Sequence, residues 1–90
     1  MSEWDEDKSQ RNLAERGFDF ALSARIFEGD TIEREDTRRD YGERRVVAIG
    51  RVEGVTLTVV YTARADARRI VSARRANKRE RDAYDQAIGQ

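Results

Sequence analysis

The strongest hydrophobic pattern lies in the second half of the chain. Residues 46–51 (VVAIGR) are mostly apolar, and residues 55–62 (VTLTVVYT) place apolar side chains at alternate positions. A period of two is typical of a β-strand with one buried face. The turn dipeptide Glu53-Gly54 separates the two runs, so the pattern predicts a β-hairpin.

Weaker strand signals flank this hairpin. Residues 69–73 (RIVSA) follow a turn predicted at 63–67 and indicate a further strand. Residues 31–34 are largely polar, which suits a short edge strand, because charged side chains protect an edge from unwanted pairing. The remainder of 31–45 is predicted to be a loop. We therefore expect three or four antiparallel strands.

The N-terminal part of the chain predicts two helices. Residues 5–16 contain strong helix formers, with acidic side chains in the first turn, where the helix dipole favours them. Gly17 is a natural stop for this helix. Asp19 is placed to cap a second helix over residues 20–28.

A third helix is predicted at the C-terminal end. Asn77 is followed three residues later by Glu80, a spacing that resembles a capping box, and the helix is expected to run through about Ile88. The order of elements is therefore helix, helix, three or four antiparallel strands, helix. This order predicts an α+β fold, and we expect residues 1–90 to form a single domain.

The composition removes several classes of functional site. The chain has no histidine and no cysteine. These absences exclude a Ser-His-Asp triad, a thiolate zinc site, a cysteine nucleophile and a disulfide scaffold. No apolar run approaches the roughly 18 residues of a membrane-spanning helix. We expect a cytoplasmic protein without a metal, a cofactor or a membrane partner.

The net charge of zero conceals a strong separation of charge along the chain. Residues 1–43 carry a net charge of −6 and residues 44–90 a net charge of +6, most of which lies within 64–81. Such a basic block attracts phosphate even in a neutral protein. A solvated surface that keeps a small domain soluble is the alternative explanation, and on charge alone we favour it.

The basic block nevertheless has the chemistry of a ribonuclease. Guanidinium groups grip phosphate and stabilise the extra negative charge of a pentacovalent transition state. RNA supplies its own nucleophile, the 2′-hydroxyl, so cleavage needs no metal. The candidate proton carriers are Glu80, Tyr84 and Tyr61. Each has a structural alternative, since Glu80 fits a helix cap and the two tyrosines fit the core.

Two blocks of the sequence resemble the BrnT family, and together they cover nearly the whole chain apart from 31–45. The N-terminal block comprises Trp4-Asp5-Glu6, Lys8, Asn12-Leu13, Arg16-Gly17-Phe18 and Phe20. The more specific C-terminal block comprises Val60-Tyr61-Thr62, Arg64, the run from Arg69 to Ala76, Glu80-Arg81 and Tyr84.

The resemblance implies both a fold and a function. BrnT-like proteins are toxins of type II toxin–antitoxin modules, with a fold similar to RelE-type ribonucleases. It implies a metal-independent endoribonuclease that halts translation by cleaving RNA. It also implies neutralisation by a cognate BrnA-like antitoxin, which dimerises through a DNA-binding segment so that the complex represses its own operon.

Candidate site residues follow from the resemblance together with the basic block. The catalytic set that we predict is Arg64, Arg74, Glu80 and Tyr84. The predicted RNA-phosphate-binding set is Lys8, Arg16, Arg69, Arg75 and Lys78.

Two departures from the family pattern leave alternatives open. The usual Lys-His-Gly reads Glu15-Arg16-Gly17, and Arg16 replaces the charge of the histidine but not its titration near neutral pH. The usual turn glycine reads Ala65. One alternative is a catalytically attenuated homologue that mainly binds the antitoxin as a co-repressor subunit. A duplex-DNA binder using the last helix ranks below it, because no helix-turn-helix spacing is visible.

Overall fold

A computed structural model describes residues 1–38 and 40–89, so Arg39, within the predicted loop, and Gln90 lie outside the described residues. Its strands form one sheet in the order β1-β5-β4-β3-β2. Their bounds are β1 Ser2–Trp4, β2 Ile32–Glu35, β3 Arg45–Val52, β4 Val55–Arg64 and β5 Ala67–Arg75.

The α+β class is confirmed, and the sheet has one strand more than the three or four predicted. The additional strand is β1, which pairs in parallel with β5, while the other neighbours are antiparallel. The sheet is therefore mixed. Three residues are too few to show an alternating pattern, so the sequence does not predict this strand.

The predicted hairpin is confirmed. Strand β3 pairs with β4 over its full length, from Arg45 opposite Thr62 to Val52 opposite Val55. Glu53 and Gly54 between them both have positive φ angles, 51° and 81°. Two consecutive residues with positive φ form the turn whose twist matches that of a two-stranded ribbon, and Gly54 adopts it without a Cβ penalty.

Of the two N-terminal helices, the first begins one residue later than predicted, with Asp5 as its cap, and the second begins at its predicted cap. Helix α1 spans Glu6–Arg16, after Asp5 accepts hydrogen bonds from backbone N–H groups of the first turn. Helix α2 spans Phe20–Ser23 and starts at Asp19 in the same way. The second half of the predicted 20–28 helix is a tighter 3-10 turn, Ala24–Glu28.

The C-terminal helix α3 spans Lys78–Ile88, and its predicted capping box is confirmed. The Asn77 side chain accepts from the Glu80 N–H at 2.8 Å, and the Glu80 carboxylate accepts from the Asn77 N–H at 2.9 Å. None of the helices within the described residues is long and apolar enough to cross a membrane.

The core lies between one face of the sheet and the N-terminal helices. Phe20 and Ile26 pack against alternate side chains of the central strands, including Leu57, Val59 and Ile70. Each of these five side chains is at most 2% exposed. Burial of this face explains the period-two pattern of β4.

The other face of the sheet carries arginines, and we call it the arginine face. Residues directly opposite each other on neighbouring strands share a face, so the pairings place Arg34, Arg45, Arg51, Arg69 and Arg74 together on it. Its threonines are buried, whereas the arginines reach solvent. Helix α3 packs on β3 at one end of this face.

Gly50 lets β3 approach the 3-10 turn closely. A Cβ at this position would lie 2.6 Å from the Cβ of Ile26, which is fully buried. We predict that Gly50→Ala lowers the free energy of unfolding by about 1–3 kcal/mol, because the core must shift to admit the methyl group. Urea denaturation measures this change.

Gly29→Ala is the matched control. Gly29 has an ordinary extended backbone and nothing within 4 Å of an added Cβ. Its free energy of unfolding is expected to stay within about 0.5 kcal/mol of the wild-type value. Equal stability of the two variants would contradict the close packing of β3 on Ile26.

Candidate functional site

A groove of about 610 Å³ lies between the arginine face and the start of α3. Val47 and Ile49 contribute an apolar floor. Three arginines, Arg34, Arg74 and Arg79, and two carboxylates, Glu33 and Glu80, line its walls, so positive charge is in excess. Within the part of the chain that the structure describes, no group of three or more carboxylates is arranged to hold a metal ion.

An ion pair between Arg74 and Glu80 joins the sheet to α3 at this groove. Arg74 Nη1 lies 2.8 Å from Glu80 Oε1, and Arg74 Nη2 lies 2.8 Å from Oε2. Two parallel charge-assisted hydrogen bonds fix the orientation of the guanidinium as well as its position. The sequence supports this geometry because Arg74 is the penultimate residue of β5 and Glu80 is held in the first turn of α3 by the capping box.

The Glu80 carboxylate is fully engaged and stays ionised. It also accepts hydrogen bonds from Thr58 Oγ1 at 3.0 Å and from the Asn77 N–H. The hydrogen bonds from Arg74, and then those from Asn77 and Thr58, lower the pKa of Glu80 to about 2. A carboxylate with so low a pKa is a poor proton carrier near neutral pH, so the geometry suits a group that positions Arg74.

Arg74 keeps part of its hydrogen-bonding capacity for a ligand. Its Nη1 donates to Glu80 and to the Arg75 carbonyl, and one Nη2 hydrogen is used by Glu80. Among the described residues, the Nε–H and the second Nη2 hydrogen have no partner, and both lie on one edge of the guanidinium. The side chain is 45% exposed, and its pKa is raised by the bond to Glu80. A phosphate can therefore bind to this free edge without displacing Glu80.

Further cations surround this pair. Glu80 has the larger effect on the pKa of Arg74 and raises it, whereas the charge of Arg38, in the loop after β2, lowers it. Arg38 is therefore close enough to interact electrostatically with Arg74. Arg38 is itself bound by the buried Asp36 carboxylate at 3.0 Å. Arg79 makes no ion pair among the described residues, so the groove keeps an uncompensated cation beside Arg74.

The structure does not bring the whole predicted catalytic set together. Arg74 and Glu80 are in contact, but Arg64 lies six residues beyond Thr58 on β4, roughly 20 Å from the pair at the spacing of a strand. Arg64 contacts Glu43 instead, at 3.7 Å. Tyr84 is 5% exposed, and its hydroxyl donates to the Asp30 carbonyl at 2.8 Å.

Two predicted phosphate ligands belong to α1. Lys8 and Arg16 line a second groove of about 160 Å³ between α1 and β5, which also contains Ser72. Arg16 Nη1 donates to the Ala73 carbonyl at 2.8 Å. It therefore holds α1 against β5, one residue before Arg74.

The other three predicted phosphate ligands have different surroundings. Arg69 is on the arginine face and contacts Glu3 at 3.4 Å. Arg75 pairs with the core residue Leu57, so it points to the opposite face from Arg74. Lys78 is 81% exposed and forms an ion pair with Asp82 within α3.

Sequence reasoning missed Thr58 and Arg34. Thr58 bonds the Glu80 carboxylate from the sheet, and Arg34 brings a positive side chain to the groove from β2. The period-two pattern of β4 already assigns Thr58 to the face opposite the core. Pairing between β2 and β3, which places Arg34 beside Val47, is a tertiary property that no local pattern reveals.

The pKa of Glu80 makes stability depend on pH. Its pKa is about 2 in the folded protein against 4.5 for the free side chain, so the ion pair stabilises the fold fully above the higher value and is lost as pH falls through the lower one. We predict that Glu80→Gln costs about 1 kcal/mol near neutral pH and that its deficit disappears as pH falls from about 5 to about 2.

Urea denaturation of both proteins across this pH range measures the deficit. Glu35→Gln is the control, because its ion pair with Arg44 is solvent-exposed on both sides and contributes little. A deficit that does not change with pH would show that the ionised form of Glu80 is not what stabilises the fold.

Comparison with known families gives the class of the protein. The family model described as "Ribonuclease toxin, BrnT, of type II toxin-antitoxin system" matches residues 4–80. A search of curated proteins gave no significant match. The matched segment runs from Trp4 in β1 to Glu80 in α3, so it contains the Arg74–Glu80 pair and nearly the whole sheet. The chain belongs to the BrnT family of ribonuclease toxins of type II toxin–antitoxin systems.

Proposed function

We propose that this protein is an endoribonuclease toxin that cleaves RNA and thereby inhibits translation until a cognate BrnA-like antitoxin neutralises it. Family membership supports the ribonuclease class. For these particular residues, the proposal rests on the geometry of Arg74. Glu80 fixes its guanidinium and leaves one edge free, and further arginines line the same groove.

In this proposal Arg74 binds the scissile phosphate and stabilises the transition state. The 2′-oxygen of the RNA attacks phosphorus, the bond to the 5′-oxygen breaks, and a cyclic phosphate results. Negative charge grows on the non-bridging oxygens during the attack. A pre-oriented guanidinium stabilises the more highly charged transition state more than it stabilises the ground state. Such differential stabilisation is the condition for catalysis. No metal is required for these steps.

Glu80 acts in this proposal as a positioning residue. Its four hydrogen bonds and its low pKa suit it to hold Arg74 in place. Tyr84 has its hydroxyl committed to the Asp30 carbonyl. Tyr61, the third candidate proton carrier, belongs to the core and donates its hydroxyl to Glu33. Because the chain also has no histidine, solvent takes the proton from the 2′-hydroxyl and delivers one to the departing 5′-oxygen.

The antitoxin is proposed to act on the same groove. The groove presents Arg34, Arg74 and Arg79 around an apolar floor, so an acidic segment with apolar side chains would complement it in both charge and hydrophobicity. Occupation of the free edge of Arg74 by a carboxylate would exclude RNA. DNA binding by the complex would come through the antitoxin.

Arg74→Ala tests the catalytic proposal. We predict that it lowers the rate of RNA cleavage by roughly 10²–10³-fold, as expected for loss of one transition-state donor, and restores growth to cells that express the protein. Arg75→Ala is the matched control, because it removes the same charge one residue away on the opposite face. It is expected to leave both measurements near wild type.

Two results would contradict the proposal in different ways. Equal loss of activity in the Arg74 and Arg75 variants would show that general positive charge, rather than the fixed guanidinium, supports cleavage. A wild-type protein that binds its antitoxin but leaves RNA intact would favour the alternative of an attenuated homologue acting as a co-repressor. The engagement of Glu80 and Tyr84 in structural hydrogen bonds is the observation that supports this alternative.

The pH dependence of cleavage tests the role of Glu80. We predict that kcat/KM rises steadily between about pH 5 and pH 8, because deprotonation of the 2′-hydroxyl by solvent limits the rate and Glu80 remains ionised throughout. Steady-state cleavage of a fluorescent RNA measures the profile. A bell-shaped profile that Glu80→Gln abolishes would instead make Glu80 a proton carrier.

A further inference from the structure

A second basic cluster lies on the arginine face, away from Arg74. Arg45 of β3 is directly opposite Thr62 of β4, and Thr62 is directly opposite Arg69 of β5. Side chains in such a row are neighbours on one face of the sheet. The row therefore places Thr62 between two arginines on the arginine face.

The row contains two polar atoms without a hydrogen-bond partner. Arg45 Nε and Thr62 Oγ1 are both buried, and neither has a partner among the described residues. Thr62 as a whole is 1% exposed. Buried polar atoms in native proteins are nearly always bonded, so such a pair calls for a ligand or solvent. The Arg45 Nε–H can only donate and the Thr62 hydroxyl is also able to donate, so one acceptor can satisfy both groups, and the positive charge of the two arginines favours an anionic acceptor.

The neighbouring side chains hold the row in place without satisfying it. The Arg45 guanidinium lies over the Tyr41 ring, 4.1 Å from its centroid. The buried Asp36 carboxylate beside it is already occupied by Arg38. Arg69 Nη1 forms an ion pair with Glu3 Oε2 at 3.4 Å. Arg45 makes no ion pair within the described residues, so its positive charge remains available.

The position of the row relative to Arg74 suits an extended polymer. Thr62 lies four residues from Thr58 on β4, and Thr58 is opposite Arg74, so the two cationic points are roughly 13 Å apart along the strand. Val60 and Val47 lie between them, flanked by Ser72. The partly exposed Val60 gives this interval apolar surface between two sites for negative charge, whereas Val47 beside it is buried.

We propose that Arg45, Thr62 and Arg69 form a second phosphate subsite and that the substrate is single-stranded RNA lying along β4. The inference rests on the proposed ribonuclease function and extends it to the path of the substrate. One phosphate binds at Arg74 and another at this row. Because Arg45 Nε and Thr62 Oγ1 are buried, the Arg45 side chain moves on binding so that its Nε–H and the Thr62 hydroxyl face the phosphate. Unpaired bases pack against the apolar surface between the two sites. The bases of duplex RNA are stacked inside the helix and cannot make this contact.

The first test measures RNA affinity without cleavage. Fluorescence anisotropy with a labelled 2′-O-methyl oligoribonucleotide of mixed sequence reports binding, because this probe lacks the nucleophilic hydroxyl. Arg45→Ala is expected to weaken binding roughly tenfold. The slope of log affinity against log salt should become shallower by about 0.7, the value for one phosphate contact to a single strand.

Arg44→Ala is the matched control for this measurement. Arg44 precedes Arg45 in the chain and forms an exposed ion pair with Glu35. Its removal changes the net charge equally, so affinity and salt slope are expected to stay near wild type. Equal effects of the two variants would overturn the subsite, because a general field would then account for the binding.

Thr62→Val separates binding from folding. The substitution keeps the shape of the side chain, and no protein hydrogen bond is lost because Oγ1 has none. Thermal stability is therefore expected not to fall, while RNA affinity falls. In the Arg45→Ala background the same change should have a smaller effect, since both groups serve one phosphate. A loss of stability without a loss of affinity would overturn the role of Thr62.

The remaining outcomes distinguish the subsite from the proposed function. If the wild type cleaves RNA while Arg45→Ala binds the probe as tightly as Arg44→Ala does, the subsite fails and the ribonuclease function stands. If the wild type neither binds nor cleaves RNA, both fail. Equal affinity for a 2′-O-methyl duplex of the same length would overturn the single-stranded path along β4.

Discussion

The arrangement of the site depends on the ion pair between Arg74 and Glu80. It joins the end of β5 to the first turn of α3, and Thr58 supports it from the neighbouring strand. Half-exposed pairs are commonly weak, but this one is bidentate, and its carboxylate is also part of a helix cap. The same contacts that begin α3 therefore orient the guanidinium that faces the groove.

A second constraint is the division of the sheet into two faces. Core side chains such as Leu57 and Val59 seal one face against the N-terminal helices, and the intervening threonines and arginines lie on the other. Because the period of a strand is two, adjacent arginines serve different environments. Arg74 faces the groove, whereas Arg75 faces the helix side, although the sequence presents them as one basic run.

Consequently, fewer basic side chains act together in the folded protein than the basic block of the sequence suggests. Lys78, Arg64 and Arg69 each contact an acidic side chain. Their charges are partly compensated where they stand. What remains is a set of cations on one face, including Arg34 and Arg79 in the groove. The effective charge of a small neutral protein is thus decided by which ion pairs its fold completes.

Local sequence signals determined much of the fold. The caps at Asp5, Asp19 and Asn77 and the turn at Gly54 follow from side-chain and backbone chemistry within a few residues, and the capping box already made Glu80 a member of α3. The sequence also brought Arg74 and Glu80 into one candidate set. Only the tertiary structure decided the parallel β1, the separation of Arg64 from that set, and the row around Thr62, because each depends on strand pairing between residues far apart in the chain, where no local period carries information.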